Sequence, residues 1–348
     1  MTPARFERRV AAALPAGRAG RILAAVSGGA DSVAMVRALQ RLQSGRDFQL
    51  YAAHLNHRLR GDASDGDAIW VERLCRELNV TLRVEKTDVL TAGPGGAIEE
   101  TARRLRYGFL TETARTFDCP WVAAAHTADD QAETILHHIL RGTGLAGLRG
   151  MPAERVLADA QPSTLDESAI RNPQSTIQLI RPLLELRRSD VEAYLEALGQ
   201  THRQDATNTD RQFTRNRIRH VLLPLLREQF NPRVEDALLR LSQQARESAG
   251  ALDSVAVDLL SAAALEITPE ICRLDRKPLR NAHPHLVRCA LVLLWDRAGW
   301  PRQTMGFDDW QRAAALIHKD GALTLPGNID ARTRGNALVL RRGVTSPN

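Results

Sequence analysis

The chain predicts an α/β fold: a doubly wound parallel sheet, followed by a mainly helical C-terminal domain that ends in a small β element. Three observations carry this reading. Apolar runs and helix-period segments alternate from residue 21 to about residue 200. The strand-like runs are continuous and apolar rather than alternating, as strands covered on both faces must be. From about residue 215 the pattern is helical instead, until short strand signals separated by glycine turns return near residue 323.

The first strand is 21–26, Arg21-Ile-Leu-Ala-Ala-Val26, and it runs into a helix over 32–43. Strands at 50–54, 81–84, 121–126 and 177–180 then alternate with helices at 65–78, 97–117, 129–140 and 189–198. Residues 151–176 are polar and aperiodic, with Pro152, Pro162 and Pro173, and read as an exposed loop or insertion. Residues 215–265 are helical with a stop or kink at Pro224, and 268–320 read as a small helical bundle holding Trp295, Trp300 and Trp310. Pro-Gly-Asn and Arg-Gly-Asn turns punctuate the β tail at 323–341. The expected domains are 1–220, carrying the 151–176 insertion, a helical linker 221–265, and a C-terminal domain 266–348.

Bulk properties narrow the class. Apolar residues make up 43% of the 348, enough for real cores, and the longest apolar runs, such as Ala290–Trp295, are far shorter than a membrane span. Cys75, Cys119, Cys272 and Cys289 lie far apart with no Cys-x-x-Cys, against a zinc site or a disulfide framework. No apolar leader is evident at the N-terminus, and a reduced, cytoplasmic protein is expected. Net charge +6 and a pI near 9.6 favour a polyanionic partner such as nucleic acid.

Five segments carry chemistry. Ser27-Gly-Gly-Ala-Asp-Ser32 joins a buried strand to a helix. Its glycines let backbone approach a ligand closely, and its N–H groups at a helix start suit phosphate oxygens; an ordinary tight turn is the plain alternative. Asp31 among such groups calls for a cation between carboxylate and phosphate. His54-Leu-Asn-His-Arg-Leu-Arg60 is a dense polar run at the end of the second strand, able to grip phosphates or stack on a base, or simply to be solvated. Arg103 and Arg106 share a helix face beside Tyr107, and suit a triphosphate or an RNA phosphate; Glu99 and Arg103, four apart, also read as a plain surface pair. His126-Thr-Ala-Asp-Asp-Gln-Ala-Glu-Thr134 enters a helix. Asp129 or Asp130 can cap it, while Asp130 and Glu133 share one face and can bind Mg²⁺ or an amine. Arg215, Arg217, Arg219 and His220 crowd a helix start, where the macrodipole disfavours cations unless a phosphate sits there; a solvated basic face is the alternative.

Taken in order, these segments resemble the tRNA(Ile)-lysidine synthetase family of PP-loop ATP pyrophosphatases, together with Arg141-Gly-Thr-Gly-Leu-Ala-Gly-Leu148, Arg181-Pro-Leu-Leu184, Asp205-Ala-Thr-Asn208 and Arg215-Asn-Arg-Ile-Arg-His220. The likeness is close from residue 21 to about 225 and looser to about 341. It implies an adenine-nucleotide α-hydrolase-like sheet and an ATP- and Mg²⁺-dependent ligase. Such a ligase joins L-lysine to C2 of the wobble cytidine of a CAU-anticodon tRNA(Ile), through an adenylated cytidine. Lysidine pairs with A rather than G, so decoding changes from AUG to AUA.

By the same resemblance, Ser27, Gly28, Gly29, Ala30, Asp31 and Ser32 hold ATP, with His54 and His126 beside it, and Asp31 serves the metal. Arg106 joins the phosphate end, Asp130 and Glu133 take the lysine, and Arg215, Arg217 and Arg219 serve the tRNA, Arg217 also the catalytic edge. Thr127 stands where the family usually has a second histidine, and the tail is shorter than in the longest members. A homodimer is left open. A tRNA 2-thiolation enzyme would share the loop but needs active-site cysteines, and only Cys75 and Cys119 fall in this domain. A PP-loop ligase acting on a small molecule would not need Arg215 to Arg219.

Overall fold

The computed structural model describes residues 1–15, 20–57, 62–87, 98–157, 176–203, 214–302 and 304–343. Arg58, Arg60, the Glu99 side chain, Asp205–Asn208 and the interior of the 151–176 segment lie outside the described residues. The chain divides into two compact units, Met1–Ser242 and Gln243–Asn348.

The first unit runs α1 (Pro3–Ala12), β1 (Gly20–Ala25), α2 (Ala30–Gln43), β2 (Phe48–Asn56), α3 (Asp62–Glu77), β3 (Thr81–Lys86), α4 (Ile98–Thr116), β4 (Trp121–Ala123) and α5 (Ala128–Leu140). It continues with α6 (Leu145–Leu148), β5 (Glu154–Val156), β6 (Gln178–Ile180), α7 (Arg188–Ala197), α8 (Thr214–Arg217), a π-helical turn (Ile218–Leu222), α9 (Leu223–Gln229) and the start of α10 (Val234–Ala263). The sheet order is β3-β2-β1-β4-β6-β5. All pairings are parallel except β5 with β6, so the sheet is mixed at one edge.

Alternate strand residues enter different cores, which is why the strands read as unbroken apolar runs. Ile22, Ala24, Leu50, Ala52, Ala123 and Ile180 pack with α1, α2, α3 and α7. Leu23, Ala53, Val122 and Leu179 pack instead with Phe109, Leu110 and Ala114 of α4. Strand order reverses at β1, whose neighbours are β2 and β4. Such a reversal opens a crevice beyond the carboxyl ends of the strands. Two short elements escape sequence patterning. The helix α1 contributes Phe6, which stacks on Tyr194 with ring centroids 4.2 Å apart. The strand β5 is recognisable only through its pairing with β6. The kink expected at Pro224 is taken up by the π turn just before α9, because proline has no N–H to give to the preceding turn.

The second unit holds the rest of α10, then β7 (Ala264–Ile267), β8 (Ile271–Asp275), α11 (Arg276–Arg280), α12 (Pro284–Arg297), α13 (Phe307–Ala315), β9 (Ala322–Leu325), β10 (Ile329–Arg334) and β11 (Ala337–Arg342). These strands form one antiparallel sheet, β7-β8-β11-β10-β9. The helical reading of 268–320 is therefore corrected at its start. Ile271-Cys-Arg-Leu-Asp275 alternates and pairs with β11, a partner far away in sequence. The Trp295 ring is buried between the edges of Trp300 and Trp310. The β tail forms as read, with Gly335 at φ +57 in the two-residue turn between β10 and β11. Among the described residues no helix is long and apolar enough to cross a membrane.

Candidate functional site

Between β1 and α2 the loop Ser27–Gly29 is built by its own hydrogen bonds. Ser32 Oγ accepts from the N–H groups of Ser27 and Gly28, both at 3.2 Å, and donates to Gly29 O at 2.9 Å. The Ser32 hydroxyl thus shapes the loop from within and is itself buried. Gly28 sits at φ +91, where a Cβ would also meet Val71 Cγ2 at 3.3 Å. Both the left-handed backbone and the close wall call for glycine. Arg203 clamps the loop from outside: its N–H donates to Gly28 O at 2.9 Å and its Nε to Asp67 Oδ1 at 2.7 Å.

Beyond the loop lies a cavity of about 480 Å³ at the carboxyl ends of β1, β2 and β4. Its walls include Ser27, Gly29, Ala30, Asp31, Ser32, His54, His57, Arg106, His126, Asp130, Arg215 and Arg219. Residues from five separate sequence segments therefore meet in one place.

Asp31 sits in the first turn of α2, and its side chain is 22% exposed rather than fully solvated. Its Oδ2 lies 3.6 Å from Arg188 Nη2, while its Oδ1 is buried with no hydrogen-bond partner among the described residues. Burial raises its pKa to about 6; Arg188 and Arg219 oppose the rise, and the carboxylates of Asp130 and Asp129 add to it. A carboxyl group held this way gains from a cation placed beside its free oxygen.

Three histidines face the cavity as neutral rings. His54 Nδ1 lies 2.8 Å from Val26 O, so it carries the proton, and Nε2 is left as a buried acceptor without a partner among the described residues. Desolvation lowers the His54 pKa. His57 is lowered to about 4 by desolvation, Arg106 and His54. His126 is lowered to about 4 by desolvation first, with Arg181, Arg215 and Arg106 adding to it. At neutral pH none of the three grips a phosphate by charge, which leaves that task to arginine. Arg106 has no ion pair among the described residues, and desolvation by the cavity walls is the main cause holding its pKa below the ordinary value.

Thr127 caps α5, accepting at Oγ1 from Asp130 N at 3.4 Å. Asp130 Oδ2 answers by accepting from Thr127 N at 2.8 Å and Thr127 Oγ1 at 3.0 Å, a reciprocal capping box. The cap is thus Thr127, not either aspartate. Asp129 turns away and accepts at Oδ2 from Arg188 N at 2.8 Å, satisfying a free N–H at the start of α7.

The other oxygen of Asp130 joins an ionic cluster. Asp130 Oδ1 accepts from Arg215 Nη2 at 3.2 Å and Arg219 Nη2 at 2.8 Å. Glu133, 2% exposed, accepts from Arg215 Nε at 3.1 Å, Arg219 Nη2 at 3.0 Å and Arg219 Nε. Desolvation pushes the Asp130 pKa up, but Arg215, the Thr127 N–H, His126 and Arg219 outweigh it and leave it below the ordinary range. Arg217, between the two paired arginines in sequence, is exposed and has no carboxylate partner among the described residues.

Several contributors were not singled out from the sequence. Arg188 carried a usable signal, a cation in the first turn of a helix, the same one that marked Arg215 to Arg219. Arg203 and Gln131 carried none. Gln131, 1% exposed, clamps Met151 by donating to its O at 2.9 Å and accepting from its N at 2.7 Å, across 20 positions.

Residues 3–226 match the PP-loop domain family. Among curated relatives, the tRNA(Ile)-lysidine synthase of Porphyromonas gingivalis is 41% identical over 63% of this chain and 43% of its own length. That of Dehalococcoides mccartyi is 36% identical over 77% of this chain and 54% of its own. That of Rhodopirellula baltica is 34% identical over 89% of this chain and 82% of its own. The chain thus spans about half the length of the first two. Of known structures, the U34-tRNA thiolase NcsA from Methanococcus maripaludis, which carries a [4Fe-4S] cluster, superposes with a TM-score of 0.53 at 18% identity, over 70% of this chain and 78% of its own. That likeness is one of fold. The extended match to the Rhodopirellula baltica relative, added to the PP-loop domain match, places this chain in the tRNA(Ile)-lysidine synthase family.

Proposed function

We propose that this chain ligates L-lysine to C2 of the wobble cytidine of a CAU-anticodon tRNA(Ile), using ATP and Mg²⁺. The observation that carries the reading is the single cavity in which a phosphate-binding loop at the start of α2 faces the carboxylate pair of α5. In the first step O2 of the cytosine attacks the α-phosphorus of ATP, and the bond to pyrophosphate breaks. In the second the lysine ε-amine attacks C2, the C2–O2 bond breaks, and AMP leaves.

The loop N–H groups and the start of α2 would receive phosphate oxygens. The Nε2 acceptor of His54 suits an exocyclic amine such as that of adenine. Asp31 fits a Mg²⁺ held by one carboxylate and phosphate oxygens, since its Oδ1 is buried and unpartnered among the described residues. The ion would neutralise phosphate charge. Arg106 would add a fixed positive charge at the same end.

Asp130 and Glu133 attract an ammonium only when Arg215 and Arg219 yield. Both arginines are partly exposed, at 36% and 21%, and are long enough to swing toward phosphate. We therefore assign them a second state, paired with nucleotide or RNA, which frees the two acids for the lysine and for accepting its proton. Arg217 is the member left to meet RNA in either state. The thiolation alternative loses ground because Cys75 and Cys119 are buried, with thiol pKa values raised by burial to about 12. The test is incorporation of labelled lysine into a CAU-anticodon isoleucine tRNA transcript. Dependence on both ATP and the CAU anticodon is expected, and no incorporation under any condition would overturn the assignment.

A further inference from the structure

Tyr107 of α4 gathers three arginines from distant segments. The Arg155 guanidinium of β5 lies 4.6 Å from the ring centroid, and that of Arg103 lies 5.6 Å from it. Arg181, immediately after β6, lies beside Tyr107 and donates to Pro152 O at 2.5 Å. Arg181 is only 4% exposed, yet its Nε, like that of Arg155, is buried with no hydrogen-bond partner among the described residues. No carboxylate pairs with any of the three among the described residues.

A ring face holds a guanidinium, but it does not cancel the repulsion among three of them. Such a cluster normally waits for an anion, and the planar fork of arginine selects phosphate or carboxylate. Its place in the sheet indicates which anion. Arg181 follows β6, which is separated from β1 by β4. Two strand spacings put it about 10 Å from the end of β1 where the nucleotide loop begins. His126, beyond β4, lies between them in the order of the sheet. A triphosphate seated on the loop is thus served by that loop and Arg106. An RNA strand that delivers one base to the cavity must run its flanking backbone over the rim.

We infer that Arg103, Arg155 and Arg181, assembled on Tyr107, form a second phosphate site that takes an RNA backbone phosphate flanking the nucleotide whose base enters the cavity. The inference rests on the proposed function. Tyr107 pre-positions the guanidiniums, and the antiparallel strand β5 exists at this edge to bring Arg155 to them. The orphaned Nε atoms then acquire acceptors.

The test compares the full chain with its Arg155→Gln, Arg155→Lys and Tyr107→Phe variants. Affinity for a CAU anticodon stem-loop RNA is measured across a salt series, alongside ATP affinity and inhibition by pyrophosphate. Arg155→Gln is expected to bind RNA several-fold more weakly, with a log–log salt slope shallower by about 0.7. Arg155→Lys should restore most of the slope, whereas a merely structural stacking role would not be restored by charge alone. Tyr107→Phe keeps the ring and should lose less than Arg155→Gln. ATP affinity should be unchanged. An unchanged RNA slope in a folded Arg155→Gln protein overturns the inference, as does a weakened pyrophosphate inhibition with normal RNA binding, which would make this a product site. If the wild type itself binds no RNA, the proposed function fails rather than this site alone.

Discussion

On the α5 side of the cavity, Arg215 and Arg219 face Asp130 and Glu133, and two positive charges balance two negative ones. Around Tyr107, three arginines gather with no acid against them among the described residues. The same residue type is neutralised by acids in one setting and awaits a ligand in the other. The difference lies in what each side chain can neutralise at home. A buried acid pair without its arginines would be costly, whereas a cluster without an acid is complete only with an anion. Arginine count alone is therefore a poor guide to where RNA binds. Pairing is the informative quantity.

The largest effect should come from Asp31, whose ion-pair partner is Arg188. Asp31→Ala is expected to lower RNA-dependent ATP–pyrophosphate exchange by on the order of 100-fold or more, since positioned charge at a transferring phosphate carries most of such catalysis. Circular dichroism should stay close to wild type, and the melting temperature should not fall. Normal exchange in the folded variant would remove the carboxylate from the metal role.

Next is the balanced cluster. Glu133→Gln leaves two guanidiniums facing one acid, with an amide in a site that is 2% exposed. Stability should fall by roughly 1–3 kcal/mol, and the lysine KM should rise well beyond any change in the ATP KM. Steady-state kinetics with each substrate varied, read beside a denaturant titration, checks both parts. An unaltered lysine KM and turnover would separate Glu133 from the amine.

A direct challenge to the comparison uses two neighbours that look alike in sequence. Arg219→Ala should lower the melting temperature and change the salt slope of RNA binding less than Arg217→Ala does. Arg217→Ala should leave stability within about 0.5 kcal/mol and flatten the log–log salt slope by about 0.7–0.9. The reverse outcome would dissolve the distinction between paired and waiting arginines.

Without nucleotide, Asp31 also predicts a pH dependence. Asp31 has a folded pKa of about 6 against an ordinary value of 3.8. The folded state thus binds the proton more tightly than the unfolded one, and stability declines as pH rises from about 4 to about 6. Asp31→Asn should remove this slope. Its stability relative to wild type should increase by on the order of 2 kcal/mol between pH 4 and pH 6.5, measured by urea denaturation without nucleotide. A constant difference across that range would show that Asp31 titrates normally.

Much of the first unit was legible because its signals are local. Periodicity located β1 to β4 and the helices between them, and the glycine pair at 28–29 marked the loop. The edge strand β5 and the strands β7 and β8 were not legible, because three to five residues become a strand only when a partner arrives. In the site, Ser32 illustrates the same limit. A serine beside a phosphate loop reads as a ligand donor, yet its oxygen is used within the loop. Thr127 reads as a lost histidine and is instead the cap that holds α5 in place.

By itself the sequence determined the α/β class, the loop between β1 and α2, and the residue types gathered at the sheet edge. Those follow from periodicity, glycine geometry and charge placed at helix starts, all properties of a few neighbouring residues. Which arginines are neutralised was decided only by the tertiary structure. Arg215 and Arg219 meet acids 82 to 89 positions away, and Arg155 meets Tyr107 across the end of the sheet. Electrostatic pairing depends on distance and burial, and both are set only when remote segments fold onto the same strand ends.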